Sequence, residues 1–182
     1  GQGDPEPRTP CRGRSLRRRR SGDRRRGLSD REAVDTNPER AEEMGRRYGT
    51  AVFPDHHELL GRVEAVSLAV PTEMHFEVAR EVLSAGVHVL VEKPITYQLE
   101  PADTLVRMAE EGDLVLQVGL VERFNPAVVR METLLNQPLF IESHRMNVFT
   151  PRGTDVDVVL DLMIHDLDII LHIVPSEVKE LH

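Results

Sequence analysis

The sequence contains a single cysteine, no tryptophan and only 4% aromatic residues. Cys11 alone cannot form an intrachain disulfide, and without a second cysteine it does not indicate a thiolate metal site. No segment approaches the roughly 18 consecutive apolar residues of a membrane span, and no signal-peptide pattern opens the sequence. We therefore expect a protein of a reducing compartment, the cytoplasm, with no membrane partner.

Lysine is absent from residues 1–32, and so are nearly all aliphatic side chains. This segment carries eleven arginines against five acidic residues, a net charge of +6, whereas residues 33–182 carry a net charge of −14. Such an opening cannot form a core. Its arginine blocks favour polyanions, but no aromatic residue alternates with them to stack on bases, so we expect no nucleic-acid partner.

The origin of residues 1–32 has two further explanations. The segment is either a disordered tail or the product of a frame error, since arginine-rich, lysine-free sequence is typical of GC-rich DNA read out of frame. We favour a frame error upstream of Ala33 as the hypothesis. In both cases residues 1–32 form an aberrant or disordered segment outside the folded part.

From Ala33 onward, short apolar runs alternate with helical patterns. The first helix is the clearest, because Asn37 provides an N-cap, Pro38 suits the first helical position and Gly49 a stop. The pattern predicts further helices at 73–86 and 100–112, and strands at 51–53, 64–70, 87–94 and 113–120. Val- and Leu-rich strands that alternate with helices predict an α/β fold, a doubly wound parallel sheet of the Rossmann type.

Polar or rigid residues stand where several of these strands end. Asp35 follows the first run, Pro71 and Thr72 follow the third, and Glu92 and Lys93 follow the run at 87–91. Ligands bind beyond the carboxyl ends of the strands in such sheets. A solvated surface charge is the alternative explanation for a lone lysine. Three polar strand ends together favour a binding site.

After Val121 the strand and helix alternation stops. The sequence predicts an amphipathic helix at 123–137, a strand of another layer at 139–149 and a long helix at 155–174. That last helix is apolar almost all round, which predicts that it is buried.

Three polar residues interrupt the apolar surface of the last helix. Asp161, His165 and Asp168 are spaced i, i+4 and i+7, which places them on one helical face. The spacing is compatible with a metal pair, with a structural bond between His165 and Asp161 in the core, or with a carboxylate that orients a catalytic imidazole. Without further ligands a metal site is not expected.

The segments AVSLAVPTEMHFEVAREVLSAGVHVLVEKPIT, QVGLVERFNP and DLMIHDLDII resemble the glucose-fructose oxidoreductase, inositol dehydrogenase and MocA family. The likeness extends from about Ala33 to the last residue. It implies an incomplete dinucleotide-binding domain at 33–120 and, at 121–182, the start of a mixed α/β substrate domain that is truncated. The segment at 138–170 looks most like members that oxidise nucleotide sugars, such as UDP-N-acetylglucosamine 3-dehydrogenases.

The resemblance implies catalytic roles for three residues. Lys93 would reach the nicotinamide ribose and the substrate hydroxyl, His165 would accept the hydroxyl proton, and Asp161 would orient His165. The implied function is an NAD-dependent oxidoreductase that transfers hydride between a sugar, polyol or nucleotide-sugar hydroxyl and the nicotinamide, with a homo-oligomer as the intact form. The alternative function is a non-catalytic Rossmann-type sensor or scaffold with a basic arm.

The resemblance also implies a cofactor groove. Its expected residues are Asp35, Pro71, Thr72, His75, Glu92 and Lys93. Asp35 would bind the adenosine ribose and repel a 2′-phosphate, which favours NAD over NADP, although Arg40 is close in sequence.

One family feature is missing from the sequence. The pyrophosphate-binding Gly-x-Gly-x-x-Gly is absent, since Glu6 stands where the third glycine after Gly1 and Gly3 would fall. The first strand, expected between the strands that end at Asp35 and Val70, is apparently lost with it. We therefore expect this polypeptide to bind NAD poorly or not at all, and to aggregate because the apolar helix would lack its cover.

Overall fold

A computed structural model describes residues 32–146, 157–174 and 176–182. Of the arginine-rich segment at 1–32, residues 1–31 lie outside the described residues, and Glu32, which was expected to lie outside the folded part, is the first residue of a strand. Five strands are present: β1 (Glu32–Val34), β2 (Ala51–Phe53), β3 (Ala65–Leu68), β4 (His88–Val91) and β5 (Leu116–Val118). The α-helices are α1 (Pro38–Tyr48), α2 (Thr72–Ser84), α3 (Leu99–Glu111), α4 (Pro126–Glu132) and α5 (Ile164–Ile173).

The strands form two parallel sheets. β1 pairs with β2, with Ala33 opposite Val52. β4 lies between β3 and β5, with Val89 opposite Val66 on one side and Leu116 on the other. Each pair of hydrogen-bonded parallel strands is connected through an α-helix, as parallel pairing of successive strands requires. The predicted Rossmann-like class is confirmed.

The first helix forms for the local reasons that the sequence predicts. The Asn37 side chain accepts hydrogen bonds from the backbone N–H groups of Glu39 and Arg40, and Pro38 occupies the first turn. Gly49 ends the helix with φ +62°, a left-handed conformation that costs glycine little. Both predicted ends of α1 are confirmed.

The core lies between β4 and the helices α2 and α3. Val89 and Val91 of β4 are buried, as are Val82 of α2 and Leu105 of α3. Val89 and Val91 lie on the face of β4 that the helices cover, whereas Leu90, between them on the opposite face, is 41% exposed. This packing fixes the position of the residues that follow β4.

Thr72 stands immediately before the helix predicted at 73–86, where a threonine would suit an N-cap, but it does not cap α2. Pro71 occupies the N-cap position and makes no side-chain bond, while Thr72 is the first helical residue and is buried. The neighbouring proline fixes the chain direction at this helix start.

The segment after Val121 differs from its predicted pattern. A 3₁₀ turn at Val121–Phe124 precedes α4, which ends at Glu132, so the helix is shorter than expected. Residues 139–146 form no strand, and Leu139 is 100% exposed. A strand needs a hydrogen-bonded neighbour, and the described residues provide none here. Residues 147–149 of the predicted strand lie outside the described residues.

The long helix predicted at 155–174 is observed as two pieces, and residues 155–156 of it are not described. A π-helical turn at Val159–Met163 leads into α5. Apolar residues such as Val158, Met163 and Leu171 are exposed, and Asp168 is the one buried residue of α5. The prediction of an all-round buried helix is therefore wrong for the described residues, since no described element covers its outer face. No described helix combines the length and apolarity that crossing a membrane requires.

The two sheets are separated by a cleft. No hydrogen bond between β1 and β3 joins them within the described ranges. A cavity of about 1060 Å³ lies there, lined by every residue of both strands. The Arg62 guanidinium spans its amino-terminal end, where Nη2 donates to Glu32 Oε1 at 2.9 Å.

We predict that Leu105→Ala lowers the free energy of unfolding by about 2–5 kcal/mol, because it opens a cavity in the core. Leu105 is 0% exposed. Leu99→Ala on the same helix is the matched control. Because Leu99 is 83% exposed, this substitution should lower the free energy of unfolding only slightly. Urea denaturation followed by circular dichroism measures both. Equal losses of unfolding free energy in the two variants would contradict the packing in which α3 buries Leu105 and exposes Leu99.

Candidate active site

The end of β4 carries the central residue of the site. Val91 is fully buried, and the next backbone N–H, of Glu92, donates to the carbonyl of Leu68 at 3.0 Å. The chain is thus held to β3 until the strand ends. Lys93 follows immediately and extends beyond the sheet edge, and the Lys93–Pro94 peptide bond is cis.

Lys93 forms an ion pair with a residue 68 positions later in the chain. Its Nζ donates to Asp161 Oδ1 at 2.5 Å and to the Asp161 backbone carbonyl at 2.9 Å. Both side chains are partly buried, so solvent screens the pair less than a surface ion pair. The Lys93–Asp161 pair connects the end of the sheet with the π-helical turn before α5.

His165 lies one turn after Asp161, at the start of α5. Its Nδ1 is buried and has no hydrogen-bond partner among the described residues. Burial lowers the pKa of His165, and the positive charges of Lys93 and then Arg145 lower it further. A lowered pKa keeps the imidazole neutral at pH 7, which is the form that accepts a proton.

Asp161 and His165 do not form the hydrogen bond with which their i, i+4 spacing was compatible. The Asp161 carboxylate contacts Lys93, and no hydrogen bond to His165 is present in the described part of the chain. The π-helical turn explains the difference, because bonding from i to i+5 changes the rotation per residue from that of an α-helix. The i, i+4 argument assumed a regular helix. The expected orienting bond is therefore corrected to an ion pair with Lys93.

Asp168, the third polar residue of this helix, has its own cation. Arg123 Nε donates to Asp168 Oδ2 at 2.8 Å, and Nη2 contacts Oδ1. Hydrogen bonding to Asp168 raises the pKa of Arg123. Asp161, His165 and Asp168 therefore do not converge as a common ligand set. This bidentate pair holds α5 to the 3₁₀ turn at Val121–Phe124.

A second arginine pairs with α5 nearby. Arg145 donates from Nε and Nη2 to the two carboxylate oxygens of Asp166, at 3.0 and 2.8 Å. These hydrogen bonds lower the pKa of Asp166. Our sequence reasoning missed both Arg123 and Arg145. The available signal was the acidic residues on an apolar helix, because a buried carboxylate requires a cation or donors.

Asp35 occupies the expected place at the end of β1. Its Oδ1 accepts from the Asn37 backbone N–H at 2.8 Å and from Arg40 Nη2 at 3.2 Å. Both bonds use the same oxygen, which leaves Oδ2 without a protein partner among the described residues. Asp35 therefore has one carboxylate oxygen for a ligand hydroxyl.

Glu92 and Gly119 approach each other where β4 and β5 end. A Cβ atom on Gly119 would lie 3.0 Å from Glu92 Oε2, and the Gly119 N–H donates to the Val91 carbonyl at 2.7 Å. A glycine here allows the Glu92 carboxylate to lie over the end of β5. Glu92 itself is exposed.

His75 is buried between two strand ends and does not line an open groove. Its Nδ1 lies 2.8 Å from the Pro94 carbonyl and its Nε2 lies 2.9 Å from the Val70 carbonyl. With 1% exposure and both nitrogens next to backbone oxygens, the ring has no free atom for a cofactor. The expected contact between His75 and the cofactor is corrected to a bridge between the chain after β3 and the turn after β4.

A cluster of histidines and carboxylates lies outside this site. His57 Nδ1 is 2.6 Å from Asp55 Oδ1, and His56 Nε2 is 2.7 Å from Glu81 Oε2. The hydrogen bond to Asp55 raises the pKa of His57, while the His57 backbone N–H and side chain lower the pKa of Asp55. The cluster joins a 3₁₀ turn at His56–Leu59, which follows β2, to α2.

The parallel sheet, the acid after β1 and the lysine after β4 define the class of NAD-binding Rossmann-fold oxidoreductases. A family model of that description, an oxidoreductase family with an NAD-binding Rossmann fold, matches residues 17–120. The chain belongs to the Gfo/Idh/MocA oxidoreductase family.

Individual relatives agree with this assignment. The chain is 43% identical over 144 residues to a UDP-N-acetylglucosamine 3-dehydrogenase of Acidithiobacillus ferrooxidans, a match that covers 79% of this chain and 46% of that relative. A solved structure of this enzyme superposes with a TM-score of 0.75 at 42% identity and covers 81% and 49% of the two chains. The chain thus spans about half the length of the curated relatives it matches.

A further solved structure contains ligands. A dehydrogenase from Bordetella pertussis, in complex with NADH and UDP-GlcNAcA, is 31% identical with a TM-score of 0.53, and the match covers 56% of this chain and 30% of that one.

We predict that Lys93→Met raises the pKa of His165, because it removes the positive charge that, after burial, contributes most to lowering this pKa. The measurement is an NMR titration of the imidazole, with His165→Asn used to assign the signal. Lys179→Met is the matched control, since Lys179 is the other lysine of the chain and is exposed. Equal shifts in the two variants would contradict the proximity of Lys93 and His165.

The same shift predicts how His165 affects stability. Its folded pKa lies below the ordinary value of 6.5, so the unfolded chain binds the proton more readily. The stability that neutral His165 contributes to the folded state is therefore present above pH 6.5 and is lost as the pH falls through the folded pKa. His165→Asn should remove this part of the acid sensitivity in thermal melts.

We predict the opposite pH dependence for His57. Its pKa is raised above 6.5, so its contribution to stability is present below that value and is lost as the pH rises through the folded pKa. Asp55→Asn should return the His57 pKa toward 6.5 in an NMR titration. An unchanged value in Asp55→Asn would show that Asp55 is not the partner of His57 in solution.

Proposed function

We propose that the protein acts as an NAD-dependent oxidoreductase on a hydroxyl group of a sugar, polyol or nucleotide sugar. One observation carries the proposal: the Lys93 ammonium and the His165 imidazole, whose pKa is lowered by burial and then by the charge of Lys93, lie near each other beyond the carboxyl end of β4. A base and a fixed positive charge are the groups that oxidation of an alcohol requires.

The cofactor would occupy the groove between the ends of β1 and β3. The free Oδ2 of Asp35 fits the hydroxyls of an adenosine ribose, and Pro71 lies on the same cavity. Arg40 bonds to Asp35 instead of extending away from it, which supports NAD over NADP. Bound NAD would supply the hydride acceptor. Glu92, Lys93 and the buried Thr72 border the rest of the proposed groove.

The proton chemistry would belong to two side chains. His165 Nδ1 is the buried nitrogen, so Nε2 is the atom that would take the proton of the substrate hydroxyl. Lys93 Nζ would donate a hydrogen bond to the oxygen as negative charge develops there. Asp161 would hold Lys93 in place through the bond between Nζ and the carboxylate. General-base assistance of this kind contributes on the order of 10²- to 10⁴-fold in rate.

The proposed substrate class rests on similarity. The relative at 43% identity is named for UDP-N-acetylglucosamine, and the Bordetella pertussis structure holds UDP-GlcNAcA. We propose the division at about residue 120 between a dinucleotide-binding part and the start of a substrate-binding part. A cytoplasmic homo-oligomer is part of the same proposal. A non-catalytic sensor or scaffold is not favoured, because these relatives are named as dehydrogenases.

The proposal predicts NADH formation when the chain is incubated with NAD and UDP-N-acetylglucosamine, with myo-inositol as the second substrate tested. NAD is used at high concentration, because the described residues contain no glycine-rich loop to hold its pyrophosphate. His165→Asn should lower the rate by roughly 10²-fold or more, and Lys93→Met should lower it as well.

Lys179→Met is the control variant and should keep the parent rate. NADH fluorescence follows turnover, and circular dichroism establishes that each variant is folded. A folded sample that binds NADH and oxidises neither substrate would contradict the proposed catalysis. Equal rates for His165→Asn and the parent chain would contradict the role of His165.

A further inference from the structure

The turn that follows β2 carries two adjacent histidines between two carboxylates. His56 and His57 open the 3₁₀ turn, Asp55 precedes it, and Glu81 belongs to α2. One nitrogen or oxygen atom of each of Asp55, His56 and His57 lies within 4.8 Å of the others, and no other group of three metal-ligating side chains among the described residues is as compact. The turn therefore has the residue types of a cation site, and the proposed catalysis uses none of them.

The two imidazoles present the same edges to the same carboxylates. The Nε2 atoms of His56 and His57 lie 2.7 and 3.3 Å from Glu81 Oε2. Their Nδ1 atoms lie 3.6 and 2.6 Å from Asp55 Oδ1, and the ring centroids are 4.1 Å apart. Side chains of consecutive residues on a helical turn normally do not face each other. The alignment of the rings therefore has a cause, and the shared Glu81 oxygen provides it.

Two neutral imidazoles do not carry enough protons for these four contacts. A neutral imidazole has one N–H, and its other nitrogen is an acceptor. When both N–H groups are donated to Glu81, both Nδ1 lone pairs face the Asp55 carboxylate, which repels them. A cation between the two Nδ1 atoms and Asp55 would remove this repulsion.

The position of Glu81 matches the way in which proteins hold a metal-bound histidine. A ligating imidazole almost always donates its second N–H to a carboxylate, a carbonyl or water, which fixes its tautomer and its orientation. Glu81 Oε2 is placed to accept from both rings. The Asp55 carboxylate is held in place as well, because its Oδ1 accepts from the His57 backbone N–H at 2.9 Å.

The donor atoms favour a transition metal. Two imidazoles and one carboxylate suit Zn²⁺, which keeps a fourth position for water, whereas Mg²⁺ and Ca²⁺ prefer oxygen ligands. Ligand atoms about 2.0–2.2 Å from a tetrahedral ion lie roughly 3.3 Å from one another. Each Nδ1 atom would therefore move by less than about 1 Å relative to Asp55 Oδ1. Asp55 and His57 are more than half exposed, which allows this movement.

We propose that Asp55, His56 and His57 bind one Zn²⁺ ion through the carboxylate and the two Nδ1 atoms, while Glu81 accepts both Nε2–H groups. The turn follows β2 of one sheet, and Glu81 belongs to the helix that packs on β4 of the other sheet. The ion would connect two sheets that no hydrogen bond between strands joins within the described ranges. Its role would be structural and independent of NAD.

The test uses the full chain without a histidine tag, in a Cys11→Ser background because a free thiolate also binds Zn²⁺. ZnCl₂ is titrated into the chelator-treated chain in a calorimeter, without NAD or substrate. We expect one saturable site and a melting temperature that rises with ZnCl₂. His57→Asn should weaken binding by more than roughly 100-fold, since it removes a ligand, and Glu81→Ala by roughly 10- to 100-fold.

Two further variants complete the comparison. His144→Asn is the matched control, because His144 is an exposed histidine that pairs with a single carboxylate, Glu142; it should bind Zn²⁺ like the parent chain. Asp55→Asn keeps a side-chain oxygen for the bond at the start of the turn and loses the negative charge. It should weaken binding at least roughly tenfold, and it tests a ligand even if His57→Asn unfolds.

NMR of the imidazole nitrogens identifies the atoms that bind the ion. We expect bound Nδ1 and protonated Nε2 in both His56 and His57. Bound Nε2 atoms would overturn the proposal, because Glu81 would then be the carboxylate ligand. Equal Zn²⁺ affinities of the parent chain and His57→Asn, or equal weakening by His57→Asn and His144→Asn, would show an adventitious ion only.

Discussion

The Lys93–Asp161 ion pair is the contact on which the proposed site depends. It joins a lysine whose position is fixed by a buried strand to a carboxylate in a π-helical turn far along the chain. His165 follows that turn, so the same contact sets how far its imidazole lies from the ammonium. The lowered pKa of His165, caused by burial and then by the charge of Lys93, expresses this proximity. Without the pair, the position of the His165 imidazole relative to the Lys93 ammonium would not be fixed.

Local features of the fold could be predicted from the sequence because their causes are local. Asn37, Pro38 and Gly49 act on the ends of α1 through bonds and dihedral angles within a few residues. The apolar run of β4 and the polar residues after it placed Lys93 at a sheet edge. The family motifs around Lys93 and His165 resembled oxidoreductases, and the family assignment is confirmed.

The errors arose where distant residues decide the structure. The strand expected at 139–149 needed a neighbour that no described residue provides. The assumed regular helix around Asp161 contains a π-helical turn, and a local periodicity argument does not detect a change in turn type. His75 was expected in the cofactor groove from the family resemblance, but its ring bridges two backbone carbonyls. Arg123 and Arg145 were missed because their partners lie more than 20 residues away.

The way in which α5 and the preceding turn are attached has a consequence for solution conditions. Three charge pairs, from Lys93, Arg123 and Arg145, hold this helix, while β4 and its neighbours are held by apolar burial. Added sulfate strengthens apolar burial, whereas ions screen charge pairs that are partly exposed. The parallel sheet and the His165 helix should therefore respond to ionic strength in opposite directions. A concentrated salt buffer that preserves the sheet would be the condition in which the imidazole loses its defined position.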